Sequence, residues 1–158
     1  MSRVQLALNV SNIDDAVAFY SKLFKTEVNK RKPGYANFAI AEPPLKLVLI
    51  EGNAGGTLNH LGVEVETAEE VEAAESRLSS DGVETTGVGD TTCCYALKTE
   101  TWVSDPDGAR WEFYVKTGDA EQMANSPVDG ANAQCCAPST AGETAATDAA
   151  PAAVSGCC

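Results

Sequence analysis

Basic residues are scarce in this chain. Lys and Arg number 11 against 23 Asp and Glu, a formal charge of −12 over 158 residues. Nucleic acid and an anionic membrane surface both need a cationic face, so this balance argues against either partner. No apolar run approaches the roughly 18–20 residues of a membrane-spanning helix. The opening Met1-Ser2-Arg3-Val4-Gln5 lacks the apolar core of a signal peptide, and a cytoplasmic location is the expectation. There is no phosphate-binding loop, no dinucleotide fingerprint and no nucleophile–His–acid arrangement. Histidine occurs once, as His60.

The six cysteines lack the spacings of familiar cysteine sites. They fall in adjacent pairs, Cys93-Cys94, Cys135-Cys136 and Cys157-Cys158. A disulfide framework spreads cysteines to staple distant segments, and a zinc ribbon uses C-x-x-C. Adjacent free thiols in a reducing cytosol suit a soft, thiophilic partner instead.

Aromatic and basic residues stop abruptly, at Tyr114 and Lys116. Residues 118–158 hold 12 Ala, five acids and four Cys, with almost no large apolar groups. Such a segment cannot bury enough surface to offset its ordering entropy, so it reads as a disordered Ala/Cys-rich tail. Its pairs Cys135-Cys136 and Cys157-Cys158 are either scavenging thiols or bystanders. Residues 1–117 form the expected domain.

That domain repeats itself. Gln5-Leu6-Ala7-Leu8-Asn9-Val10 and His60-Leu61-Gly62-Val63-Glu64-Val65 match in pattern at an offset of 55. Each reads as a strand. Asn12 and Thr67 follow as helix N-caps, the latter with Glu70 completing a capping box. Apolar residues then recur at helical spacing, from Ile13 to Phe24 and from Val71 to Leu78. Strand-like runs follow each helix: Tyr35 to Ile40 and Leu45 to Ile50, then Val83 to Thr86, Tyr95 to Val103 and Trp111 to Val115. The fold class is α+β. Two βαβββ modules, about 3–52 and 58–116, form a cupped mixed sheet with helices outside and an open concave face.

Strand alternation assigns residues to that face. Leu6, Leu8 and Val10 oppose Gln5, Ala7 and Asn9. Leu61, Val63 and Val65 oppose His60, Gly62 and Glu64. Trp111, Phe113 and Val115 oppose Glu112 and Tyr114. With the apolar sets under the helices, Gln5, His60 and Glu112 share the concave side. An imidazole nitrogen, an amide oxygen and a carboxylate can make three facial ligands to a divalent metal, with three positions left open. The alternative is three solvated polar residues.

The two-module layout, the positions of Gln5, His60 and Glu112, and the closing segment Asp105-Pro106-Asp107-Gly108-Ala109-Arg110-Trp111-Glu112-Phe113 resemble the vicinal oxygen chelate superfamily. This superfamily includes glyoxalases, bleomycin-resistance proteins and extradiol dioxygenases. Tyr35-Ala36-Asn37-Phe38-Ala39-Ile40, Asn59-His60-Leu61-Gly62-Val63 and Thr92-Cys93-Cys94-Tyr95-Ala96 resemble its ArsI/CadI branch, which contains carbon–arsenic lyases. The resemblance implies Fe(II) on Gln5, His60 and Glu112, dioxygen as co-substrate, and a trivalent organoarsenical on Cys93 and Cys94. Gln5 stands where extradiol enzymes carry a second His.

A monosubstituted trivalent arsenical has two exchangeable positions, which two thiolates fill. Neighbouring strand residues point apart, so the pair needs a bend, and Asp90-Thr91-Thr92 reads as part of a mobile loop. Tyr20, Tyr35, Phe38, Trp102 and Tyr114 are candidate walls for an aromatic substituent. The competing readings are a cadmium- or arsenic-sequestering protein and a glyoxalase or extradiol enzyme with another substrate. A monomer and a homodimer are both compatible with one two-module cup.

Overall fold

Both helices begin where the sequence supplies a capping side chain. In the computed structural model, which describes residues 2–123, the Asn12 side chain accepts from the backbone N–H of Asp14 and Asp15 and opens α1 (Ile13–Phe24). Thr67 and Glu70 form a reciprocal capping box and open α2 (Ala68–Ser80). Gly82 follows α2 with φ +80°, a conformation that costs glycine little.

The strands are β1 (Arg3–Val10), β2 (Lys30–Lys32), β3 (Tyr35–Ile40), β4 (Leu45–Glu51), β5 (Thr57–Glu64), β6 (Gly89–Cys93), β7 (Ala96–Ser104) and β8 (Arg110–Asp119). They form one mixed sheet in the order β2-β3-β4-β1-β5-β8-β7-β6. The repeat is visible in the pairing. In each module the first strand runs parallel to the last, β1 with β4 and β5 with β8. The modules join through antiparallel β1 and β5. The sheet curls, with the helices on its outer face.

The main apolar core lies between α1 and the first module's strands. Ile13, Val17, Phe38, Ile40, Leu47 and Leu49 are buried there. On the inner face a second cluster gathers Ala7, Tyr35, Val48 and Tyr95, with Met123 packed against it. Part of the concave face is therefore covered, because Tyr95 of the β6–β7 turn and Met123 pack over it.

Four further details differ from the sequence reading. Lys30–Lys32 pairs with β3 as a short edge strand. Gly89–Cys93 is a strand paired with β7, not a loop. Val83 to Thr86 contributes only the bridge Thr85–Val103. β8 runs to Asp119, and Ala120, Gln122 and Met123 bond by backbone to Cys94 and Tyr95. Among the described residues, no helix is long and apolar enough to cross a membrane. Residues 124–158, with Cys135, Cys136, Cys157 and Cys158, lie outside the described residues.

Candidate metal and thiol site

Gln5, His60 and Glu112 meet inside the cup through strand register. Gly62 of β5 lies opposite Gln5 on one side and Glu112 on the other. A Cβ at Gly62 would sit 2.9 Å from Glu112 Cγ and 3.4 Å from Gln5 Cβ. Glycine here lets two side chains meet across the strand between them. His60 points to the same side, two residues back. All three are buried.

Their heads converge. Gln5 Nε2 donates to His60 Nε2 at 2.9 Å and to Glu112 Oε1 at 2.5 Å. His60 Nε2 lies 3.4 Å from Glu112 Oε1. A hard divalent ion about 2.0–2.1 Å from each octahedral ligand sets neighbouring donors roughly 3 Å apart. The spacing fits such an ion. The chemistry fits too, with one condition. Among the described residues no three His, Cys, Asp or Glu side chains are placed to hold a metal. The third ligand must be the Gln5 amide oxygen, which now accepts from the Tyr114 hydroxyl at 2.6 Å. To ligate, the amide turns over.

The surroundings keep the donors in binding form. Burial alone would push the Glu112 carboxyl up, but the Lys98 ammonium beside it holds it well below the usual carboxylate range. Lys98 Nζ stands 2.9 Å from Glu112 Oε2 and 3.0 Å from Glu100 Oε2. Burial opposes the Lys98 charge, yet these two carboxylates raise its pKa well above the ordinary value. Lys46 Nζ donates to Tyr114 Oη at 2.7 Å and pairs with Glu64 at 3.3 Å. Burial raises the Tyr114 phenol well above its ordinary value, so it stays a donor at neutral pH.

Cys93 and Cys94 line the same cavity as the trio. Cys93 ends β6 and pairs with Ala96 of β7, leaving Cys94 and Tyr95 as a two-residue turn. Both have positive φ, 55° and 60°. Two left-handed residues are what the tight hairpin turn demands, and each costs a non-glycine residue energy. The turn is held by backbone bonds from Cys94 N to Met123 O at 3.1 Å and from Tyr95 N to Gln122 O at 3.0 Å, and by Lys30 Nζ on Tyr95 O at 3.0 Å. It brings the two sulfurs to 3.1 Å, which a straight strand could not do. Both sulfurs must be reduced thiolates for the pair to clamp one soft atom.

The free volume between trio and thiols is about 20 Å³, room for about one water. Of the aromatic candidates, Tyr35 and Tyr114 line it. The Trp102 ring centroid lies 5.3 Å from that of His60. Phe38 and Tyr20 pack in the core under α1, because alternation and helical phase turn them away from the cup. Lys46, Lys98 and Glu100 were missed, since charged residues on a strand read as solvent-facing. Gly62 carried a usable signal, a glycine in mid-strand.

Comparison with known proteins gives the family of the fold. Residues 3–113 match the Glyoxalase/Bleomycin resistance protein/Dioxygenase superfamily. The chain is 52% identical over 142 residues to the cadmium-induced protein CadI of Mycobacterium tuberculosis, covering 86% of this chain and 93% of that one. It is 50% identical over 148 residues to a trivalent organoarsenical cleaving enzyme of Thermomonospora curvata, covering 92% and 95%. A mutant of homoprotocatechuate 2,3-dioxygenase from Brevibacterium fuscum superposes with a TM-score of 0.55 at 21% identity, over 75% of this chain and 33% of that one, a likeness of fold. A match spanning nearly all of the described fold, joined by relatives at half identity along most of their length, means that this chain belongs to the glyoxalase/bleomycin resistance protein/dioxygenase superfamily.

Proposed function

We propose that the protein is an Fe(II)- and dioxygen-dependent enzyme that cleaves the carbon–arsenic bond of trivalent organoarsenicals and releases arsenite. The observation that carries this reading is the shared cavity: a His–amide–carboxylate trio and an adjacent cysteine pair line one buried space. A bound Fe(II) supplies a place for dioxygen and the electrons to activate it. Dioxygen is the oxidant, the carbon attached to arsenic is oxidised, and arsenic leaves still trivalent. The name of the Thermomonospora curvata relative supports the substrate class.

The chain's own residues divide the task. Reduced Cys93 and Cys94 replace the two exchangeable ligands of R–As, each thiol proton leaving with a displaced hydroxide as water. Holding arsenic at two points on the rim directs its carbon into the cup and removes much of the entropic barrier. Lys98 keeps Glu112 anionic. Tyr114 and Lys46 hold the Gln5 end of the trio. The free volume is that of about one water, so a bound organoarsenical displaces the Cys94–Tyr95 turn or its Met123 cover.

A sequestering role is the second reading, favoured by the 3.1 Å sulfur pair and by the CadI relative. Two classes of variant separate them. In reduced protein, Cys93→Ser and Cys94→Ser lose arsenical capture and arsenite release together. His60→Ala loses metal and release but still binds the arsenical. Release that survives His60→Ala, or Cys94→Ser with wild-type turnover, contradicts the lyase reading. Stoichiometric binding with no release under any metal favours sequestration.

A further inference from the structure

β5 carries one residue more than its partner at the site. In the β1–β5 pairing Ala7 faces His60 and Leu8 faces Leu58, so Asn59 is the extra residue of a β-bulge. In an unbroken strand Asn59 and His60 would point to opposite faces. The bulge turns them toward each other, and Asn59 Oδ1 lies 2.8 Å from His60 Nδ1. Bulges beside functional sites commonly re-aim a side chain in this way.

The direction of every hydrogen bond here follows from one backbone carbonyl. The Thr57 hydroxyl donates to Ala54 O at 2.6 Å, so Thr57 Oγ1 is an acceptor for its next neighbour. Asn9 Nδ2 donates to that oxygen at 2.9 Å, which leaves Asn9 Oδ1 facing β5. Asn59 Nδ2 donates to Asn9 Oδ1 at 2.8 Å. The Asn59 amide thus has its NH2 committed on one side and its oxygen toward His60. An oxygen with no proton requires one on the ring, so His60 Nδ1 carries the hydrogen and Nε2 keeps its lone pair. Turning the Asn59 amide over would break both of its bonds.

We infer that Asn59 is a positioning residue. Through the bulge and the Thr57–Asn9 relay it fixes the Nδ1–H tautomer and ring orientation of His60, so that Nε2 faces Gln5 and Glu112. The consequence for metal affinity rests on the proposed function. The tautomer does not.

The test uses the full-length reduced protein and two readouts. His60 is the only histidine, so its ring nitrogens are unambiguous in a ¹⁵N spectrum taken well above the ordinary imidazole pH range. Wild type should show a protonated Nδ1 and a bare Nε2. Asn59→Ala should mix the two tautomers and weaken Co(II) binding by about 10–100-fold, the usual effect of losing a partner behind a metal-binding His. Asn59→Asp keeps the acceptor at Nδ1 but loses the donor to Asn9 Oδ1, so it should restore the ring pattern and leave Co(II) affinity no weaker than in Asn9→Ala. Asn9→Ala leaves Asn59 in place but loosens its amide, and should weaken Co(II) by less than about tenfold. It also tests the relay if Asn59→Ala does not fold. A wild-type ring pattern and affinity in Asn59→Ala, or in Asn9→Ala where that variant stands in, overturns the inference. If wild type itself binds no Co(II), the metal reading fails, and the ring pattern alone decides the role of Asn59.

Discussion

The two modules share a topology but bury different chemistry. In the first, the burial lies under α1 and is aliphatic and aromatic, with Phe38 and Leu49 fully enclosed. In the second, α2 buries only Val71. Its deepest residues instead include Lys98, Glu100, Glu112 and Tyr114, all turned into the cup. One copy of the repeat works mainly as an apolar scaffold. The other holds charges out of water, which costs energy unless each is paired. The first module's contributions to the site are Gln5, delivered across β1 and β5, with Tyr35 and Lys46 beside it.

The comparison is sharpest in a pair of substitutions with similar size and different cause. Phe38→Ala should cost about 3–5 kcal/mol through a cavity. Lys98→Ala should also cost about 3–5 kcal/mol, because it strands Glu112 as a buried charge. Chemical denaturation of chelator-treated protein at several pH values separates them. In the wild type Glu112 sits below its unfolded pKa of about 4.3, so its stabilising share is present above that pH and is lost as pH falls through the folded value. In Lys98→Ala burial moves the carboxyl up, so the penalty is present at neutral pH and shrinks on acidification. The Phe38→Ala cost should not shift in this way. Equal pH behaviour in the two variants would break the division between the modules.

Gly62→Ala comes next. Its Cβ would press on Glu112 Cγ at 2.9 Å, with an expected cost of about 1–3 kcal/mol and a clear loss of metal binding. Wild-type metal affinity in that variant would mean that Gln5 and Glu112 need not meet across β5. The smallest effect is Val71→Ala, about 1–2 kcal/mol with the site unchanged. A larger loss, or one accompanied by weaker metal binding, would show that α2 supports the cup more than its single buried residue suggests.

The trio was legible because two physical signals coincided. Strict alternation placed Gln5, His60 and Glu112 on one face, and the repeat put Gln5 and His60 at corresponding positions. The bend at Cys94 was legible from geometry, since two adjacent strand sulfurs cannot face one atom. Alternation failed at Asn59, because a bulge inserts a residue without any change in composition. It failed in another way at Lys98, whose partner Glu112 lies fourteen residues on, on the neighbouring strand β8, a pairing that strand pattern alone does not give. β6 was hidden because Gly89-Asp90-Thr91-Thr92 has turn-like composition, yet pairing with β7 overrides that preference.

The most direct measurement is a single-turnover assay. Reduced protein is given a trivalent methyl- or phenylarsenical with and without Fe(II), and with and without dioxygen, and free arsenite is quantified. The account predicts arsenite near one equivalent per site only when iron and oxygen are both present. Arsenite release without either one, or tight binding with no release in any condition, would contradict it.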